Sequence, residues 1–208
     1  MTMCGRYQLE IDMDDILNFI DILGEVREKY HEDELKEMVH EKRDFTPGSK
    51  TIILTPEGIK QPLWGFPLDK KLVFNARSES IFDKRMFSEA VRKRRCLVPA
   101  NLFYEWQGKE KIKHEVRTGD KIMYLGGIYS KYSNDKGEPE DRFSIITQAS
   151  EGNMLEIHSR SPLIVSRDNL RNYINPETSE AEIRHILSMT PAQLLINRAD
   201  APSQLSFL

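Results

Sequence analysis

The cysteine near the start of this 208-residue sequence has the most distinctive chemistry of any residue in the chain. Cys4 lies in the run Met3-Cys4-Gly5-Arg6-Tyr7, and cleavage or a later start that exposed it would combine a thiol with a free α-amine. Such a 1,2-aminothiol condenses with an aldehyde and closes into a five-membered thiazolidine, which a thiol alone cannot do. The amine has an ordinary pKa of ~7.7–8.0 and the thiol is a strong nucleophile. We therefore expect Cys4 to capture an aldehyde near neutral pH.

Two other residues have the types needed to move protons in such a reaction. Glu105 lies between Tyr104 and Trp106, where a carboxylate is costly to bury unless it is paired or protonated. The alternative is an amphipathic strand that carries Glu105 on its solvent face. His158 supplies an imidazole, the side chain that most readily exchanges protons near neutral pH, although a histidine taken alone is more often structural.

The composition excludes several classes of protein. No apolar run is long enough for a transmembrane helix or a signal peptide, and Cys4 and Cys96 lack the spacing of metal ligands. We therefore expect a cytoplasmic protein without a disulfide framework, metal site or cofactor. Because the net charge is −3, binding to nucleic acid must depend on local basic clusters. The run at residues 92–95 is one such cluster, and its alternative role is to complement the dipole at a helix C-terminus.

The elements that must position these residues indicate an α+β fold. Asp12 as N-cap and Gly24 as the stop bound a first helix, and residues 26–42 and 82–95 indicate two more. About eight short strands lie between residues 45 and 165, one of them with a Gly126-Gly127 pair that permits close backbone approach. This pattern favours a mainly antiparallel, barrel-like β core with peripheral helices. The length predicts a single domain over residues 1–208, with residues 166–208 forming C-terminal helices and a tail.

A set of motifs in a fixed order extends this interpretation. They are MCGRY at the start, FNARSE at residues 74–79, RRCLVPANLFYEW at 94–106, and IITQAS with EIHSRSPLIV between 145 and 165. Together they resemble the SOS response-associated peptidase (SRAP) family, whose animal members were described as 5-hydroxymethylcytosine-binding proteins. The resemblance is strongest over residues 4–165. It implies a groove for single-stranded DNA and a covalent reaction with abasic sites, whose open-chain sugar is an aldehyde.

The resemblance also implies roles for particular residues. Cys4 matches the nucleophile, and Asn75 matches the residue that holds it in place. Glu105 and His158 match the catalytic acid–base pair. The positions expected to contact DNA are Arg6, Arg77 and Arg160, which would hold phosphates, and Trp64, whose loop would wedge against the bases. Arginine suits phosphate because its planar fork binds two oxygens at once.

The sequence departs from the family pattern in ways that leave alternatives open. Ser159 and Ser161 stand where the family has an acidic residue and a methionine, and the loop after Trp64 is short. Residues 1–3 precede Cys4, so either translation starts at Met3 or the protein trims itself, and the Met1-started form is not expected to make a thiazolidine. The leading hypothesis is a monomer that captures abasic sites, with associated lyase activity. The rivals are a cysteine peptidase and a non-catalytic reader of modified or single-stranded DNA.

Overall fold

The computed structural model describes residues 4–190 and 193–199, and antiparallel strands dominate that part of the chain. The helices are α1 (Met13–Leu23), α2 (Glu32–Met38), α3 (Ser88–Lys93), α4 (Leu170–Ile174) and α5 (Glu180–Ser188). The strands are β1 (Tyr7–Ile11), β2 (His40–Phe45), β3 (Ile53–Thr55), β4 (Gly58–Lys60), β5 (Leu63–Trp64), β6 (Phe66–Leu68), β7 (Lys71–Val73), β8 (Asn75–Arg77), β9 (Arg95–Ala100), β10 (Leu102–Gln107), β11 (Ile112–Arg117), β12 (Met123–Ser133), β13 (Pro139–Ala149), β14 (Arg160–Pro162), β15 (Ile164–Val165) and β16 (Leu195–Arg198). Among the described residues, no helix has both the length and the apolar character that crossing a membrane requires.

The first sheet places the N-terminal strand beside the strand that carries Glu105. Its order is β16-β11-β10-β1-β2, and β1 runs antiparallel to β10 with Tyr7 opposite Phe103. The backbone N–H of Tyr104 donates to the carbonyl of Arg6 at 2.9 Å, so the pairing continues beyond the strand end. If the same register is extended by two residues, from Tyr7 back to Gly5 and from Phe103 on to Glu105, Gly5 lies opposite Glu105. This register therefore delivers Cys4 to the Glu105 carboxylate.

The second sheet brings three separate segments to one strand. It follows the order β14-β13-β12-β9-β3-β4, and β5 and β8 also pair with β13, in parallel. Arg77 lies opposite Thr147 and Arg160 lies opposite Ala149 on β13. The prediction of an α+β fold with mainly antiparallel sheets is confirmed, although within the described residues the sheets do not close into a barrel.

Local sequence signals account for several details. Asp12 caps α1 because its carboxylate accepts from the Asp15 N–H at 2.9 Å, and the Asp15 side chain accepts from Asp12 in return. Gly24 ends the helix at φ 67°, a left-handed conformation that glycine adopts without steric cost. The close approach at the glycine pair is confirmed, since a Cβ on Gly126 would lie 2.5 Å from the Leu163 side chain.

Three element predictions are corrected by tertiary contacts. Residues 26–42 form only a 3-10 turn and α2 before β2 begins at His40, and residues 82–95 are helical only over α3. The C-terminal region adds β16, which pairs with β11 at the edge of the first sheet. Charged segments such as β2 become strands because a neighbouring strand supplies hydrogen-bond partners, which periodicity alone does not reveal.

The last member of the basic run 92–95 is a core residue. Arg95 is 0% exposed, and its guanidinium donates to the carbonyls of Tyr173 at 2.6 Å and Val91 at 2.7 Å, and also to those of Arg92 and Asn175. Burial lowers its pKa, since the charged form loses hydration. Its role is to tie the end of α3 to α4. It is not available for phosphate.

We expect Arg95→Ala to lower the free energy of unfolding by about 2–4 kcal/mol, because it leaves several buried carbonyls without donors. Urea denaturation measures the change. The control is Lys93→Ala, whose exposed ammonium lies 3.9 Å from Glu177 and should contribute less than about 0.5 kcal/mol. Equal losses from both variants would contradict the structural role of Arg95.

Candidate active site

Cys4 is held at the entry to β1 with its nitrogen against a carboxylate. The residue is 1% exposed, and its backbone N–H donates to Glu105 Oε1 at 2.7 Å. Its φ is +30°, a left-handed value that side-chain-bearing residues rarely adopt and that costs roughly 1–3 kcal/mol. Such strain persists only where the surrounding structure imposes it. The β1–β10 register supplies that constraint.

Glu105 faces inward, and its environment favours the protonated form. The residue is 1% exposed, which settles the choice between a solvent face and a buried carboxylate. Burial raises the pKa of the Glu105 carboxyl, while the hydrogen bond from the Cys4 N–H and the nearby His158 act in the opposite direction. A raised pKa brings the Glu105 carboxyl closer to the range in which it can both give and take a proton.

The thiol of Cys4 shares that environment. Burial raises its pKa well above the ordinary value, and the negative charge of Glu105 raises it further. The thiol is therefore neutral at rest, and a base must take its proton when it attacks. Glu105 is the adjacent group that can do so after giving up its own proton.

A cavity of about 540 Å³ opens at this cluster. Its lining consists of Gly5, Arg6, Pro47, Phe74, Glu105, Trp106, Lys111 and His158. Acidic, basic and aromatic side chains thus converge on one space, which suits a polar substrate that carries negative charge and a flat ring. Within the described residues there is no group of three or more His, Cys, Asp or Glu side chains placed to hold a metal ion.

His158 reaches the cavity from the loop before β14. Its Nδ1 lies 3.1 Å from both the backbone N–H and the carbonyl oxygen of Arg160. The Arg160 backbone thus occupies Nδ1 and leaves Nε2 as the nitrogen that a substrate can use. His158 and Glu105 line the same cavity, so the structure brings together the two predicted proton-transfer residues.

Asn75 begins β8, directly after Phe74 of the cavity lining. It is half-buried and pairs with Ile145 of β13. This places Asn75 next to the cavity wall. Its predicted role in holding Cys4 remains a prediction.

The three predicted phosphate-binding arginines occupy different environments. Arg6 lines the cavity, with its guanidinium 6.0 Å from the Trp106 ring centroid and 4.0 Å from Asp44. Arg77 is exposed on β8. Arg160 is mostly buried and is bound to Glu79 and Thr147 within the protein. Arg6 and Arg77 are accessible to a phosphate, whereas Arg160 already has acceptors.

The Trp64 side chain is not accessible to bases, whereas the wedging role of the loop that follows it stays a prediction. The indole is 0% exposed, packs on Tyr7 and Phe143, and donates its N–H to the Phe74 carbonyl at 3.0 Å. It is a core residue because parallel pairing of β5 with β13 turns it inward. The exposed apolar residues of the following hairpin are Leu68 and Leu72.

Sequence reasoning missed two residues of this region. Lys111 lines the cavity from the turn between β10 and β11, and a lysine within reach of the strand containing Glu105 is the signal that could have identified it. Glu79, within the FNARSE motif, binds Arg160 through a pairing across 81 residues that local sequence does not reveal.

Comparisons with known proteins found a family model, relatives and a solved structure that this chain resembles. The protein-family model described as SOS response associated peptidase (SRAP) matches residues 3–199. Abasic site processing protein YoaM from Bacillus subtilis is 28% identical over 200 residues, covering 86% of this chain and 82% of its own. Abasic site processing protein YedK from Escherichia coli is 27% identical over 154 residues, covering 69% of this chain and 68% of its own. A crystal structure of a protein from Bacteroides thetaiotaomicron shares the fold, with a TM-score of 0.76 at 24% identity over 95% of this chain and 93% of that one.

Proposed function

Because this chain belongs to the SOS response associated peptidase (SRAP) family, we propose that it processes abasic sites in single-stranded DNA by covalent capture through Cys4. Its relatives YoaM and YedK carry the name abasic site processing protein. The observation that carries the proposal is the 2.7 Å contact between the Cys4 nitrogen and Glu105 Oε1, beside the cavity that His158 also lines.

The proposed reaction balances as a condensation. The free amine of Cys4 adds to the sugar aldehyde, water leaves, and the thiol adds to the resulting carbon–nitrogen double bond to close the thiazolidine. Glu105 donates the proton that lets hydroxide depart and then accepts the proton of the thiol. His158, through Nε2, assists the opening of the sugar ring to the aldehyde and the slow reversal. The imine form of the intermediate also permits strand scission, which is the lyase activity.

The reaction needs a free amine, so we propose that the bond between Met3 and Cys4 is hydrolysed first. Residues 1–3 lie outside the described residues, but the strain at Cys4 supports this step. Water would add across the peptide bond, leaving a carboxylate on Met3 and the amine on Cys4. Glu105, at the departing nitrogen, can protonate it. Once the bond is broken, Cys4 has no preceding carbonyl and the φ strain disappears.

The test is incubation of protein that begins at Cys4 with an oligonucleotide containing one abasic site. We expect a DNA–protein adduct that survives a denaturing gel. Its intact mass should equal the summed masses of the protein and the oligonucleotide minus the mass of one water. A matched oligonucleotide with tetrahydrofuran in place of the abasic sugar lacks the aldehyde and should give no adduct. An adduct with both oligonucleotides would contradict the chemistry. Cleavage of an unrelated peptide would favour the cysteine peptidase, and binding without an adduct would favour the reader.

Arg77 is exposed on β8, the strand that follows Phe74 of the cavity lining, and we propose that it holds the DNA backbone. We expect Arg77→Ala to weaken binding to single-stranded DNA by about 3–10-fold at any sequence and to lower the salt slope by ~0.7, because one phosphate contact is lost. Fluorescence anisotropy at several salt concentrations measures both. Arg171→Ala removes the same charge on α4, an element that contributes no residue to the cavity lining and adjoins none that does, and it should leave the slope unchanged. An unaltered slope in Arg77→Ala would argue against this placement.

We also propose that the protein acts in the cytoplasm as a monomeric single domain. Size-exclusion chromatography with light scattering tests the oligomeric state.

A further inference from the structure

The Arg160 side chain is bound on two sides within the protein. Its Nη2 donates to Glu79 Oε2 at 2.9 Å and to the carbonyl of Thr147 at 2.7 Å, and its Nη1 also binds Glu79. The two guanidinium nitrogens therefore contact both oxygens of one carboxylate, which is the strongest and most directional form of this pair. The Arg160 side chain is 14% exposed and that of Glu79 is 52% exposed, so solvent screens the pair only in part.

The backbone of the same residue holds the catalytic imidazole. When Nδ1 of His158 lacks a proton, it accepts from the Arg160 N–H, and when it carries one, it donates to the Arg160 carbonyl. Both contacts are 3.1 Å, so residue 160 supports the ring in either state without moving. The position of the ring depends on where residue 160 is held.

We propose that Glu79 is a positioning residue that orients His158 by anchoring Arg160. The proposal rests on the proposed function, because it assigns Glu79 to the step that His158 assists. Glu79 comes from the segment after β8, Thr147 from β13 and His158 from the loop before β14. Without Glu79, the Arg160 guanidinium keeps its hydrogen bond to the Thr147 carbonyl but loses its two contacts with the carboxylate. The loop that carries His158 is then held less rigidly. The hydrogen bond to Arg160 also lowers the pKa of the Glu79 carboxyl, which keeps it charged.

A competing interpretation makes the opposite prediction. If Glu79 only occupied Arg160 until a phosphate displaced it, removal of its charge would tighten DNA binding and leave the reaction rate unchanged or faster. If Glu79 positions His158, the rate at saturating DNA falls while binding is unchanged or tighter. The two roles therefore separate when rate and affinity are measured independently.

The experiment uses Glu79→Gln, which keeps the side-chain size and removes the charge. We expect strand scission at saturating abasic DNA to slow by about 10-fold or more, because small misplacements of a reacting group are costly. Affinity for intact single-stranded DNA should not fall, and the melting temperature should stay within about 2 °C of the unmodified protein. Glu89→Gln is the matched control, since it removes the partner of Arg94 at 2.7 Å on a segment that does not line the cavity. An unchanged scission rate in Glu79→Gln would overturn the proposal.

A second measurement needs no DNA, so it separates failure of this proposal from failure of the proposed function. Nitrogen-15 NMR of the imidazoles reports which ring nitrogen carries the proton, and a His158→Gln variant assigns the signal. We expect Glu79→Gln to shift the His158 nitrogen signals while Glu89→Gln leaves them in place. If the unmodified protein forms no adduct, the proposed function fails, but the NMR comparison still decides whether Glu79 holds His158. Identical His158 signals in both variants would refute the positioning role.

Discussion

Cys4→Ala should abolish the gel-stable adduct with abasic single-stranded DNA, a loss of at least about 100-fold, while affinity for the same DNA changes less than about 2-fold. The ring needs both sulfur and nitrogen from one residue, and alanine keeps only the nitrogen. Binding depends on other groups, such as Arg6 of the cavity lining, and Cys4 itself is buried. Adduct yield by denaturing electrophoresis and affinity by anisotropy give the two values.

Cys96→Ala is the control for this substitution. Cys96 lies inside the chain on β9, so its nitrogen is a peptide amide that cannot close a thiazolidine with the thiol. Adduct formation should persist at the unmodified rate. A stable adduct in Cys4→Ala that disappears in Cys96→Ala would show that the wrong thiol has been assigned.

Retention of Met3 should have the same effect as loss of the thiol. The Cys4 nitrogen is then an amide, whose lone pair is delocalised and cannot attack an aldehyde. Mass spectrometry of the first residue, combined with the adduct assay, should show that only chains beginning at Cys4 react. A stable adduct from chains that keep residue 3 would contradict the mechanism.

Glu105→Gln should slow adduct formation by about 100–1,000-fold, because a positioned acid–base group contributes on that scale. Glutamine keeps an Oε1 acceptor for the Cys4 N–H, so the loss reflects proton transfer rather than misfolding. Rates from rapid-quench electrophoresis across pH 5–9 provide the measurement. The rate of adduct formation by the unmodified protein should fall as pH rises through the raised pKa of Glu105. This fall in rate should be absent in Glu105→Gln. Glu110→Gln, on the exposed β10–β11 turn, is the matched control.

The same substitution has a defined effect on stability. Since the pKa of Glu105 is raised in the folded state, its contribution to stability is fully present below the unfolded value and is lost as pH rises through the folded one. Glutamine does not titrate, so Glu105→Gln removes this loss of stability at higher pH. We therefore expect the difference in unfolding free energy between the variant and the unmodified protein to move in favour of the variant from pH 4 to pH 8. The opposite trend in urea denaturation would mean that the carboxylate is better stabilised than its burial indicates.

The residue types alone were sufficient to predict a chemistry for Cys4 and to locate several local structures. Cys4 next to the chain start predicts an aminothiol, and the caps at Asp12 and Gly24 bound α1 as predicted, because both depend on neighbours within a few residues. The adjacent glycines at 126 and 127 likewise predicted close packing. The order of the motifs indicated the family, which the match over residues 3–199 confirms.

Only the tertiary structure decided which way the key side chains face and what they contact. Glu105 could have faced solvent, and β10 gives no alternation to settle this because Leu102–Glu105 are all buried. Trp64 proved to be core, and Arg160 proved to be bound to Glu79. These outcomes depend on strand pairings between residues about 80 to 100 positions apart, as in the Cys4–Glu105 contact. A local pattern predicts an element, but the register between distant strands selects the face that each residue presents.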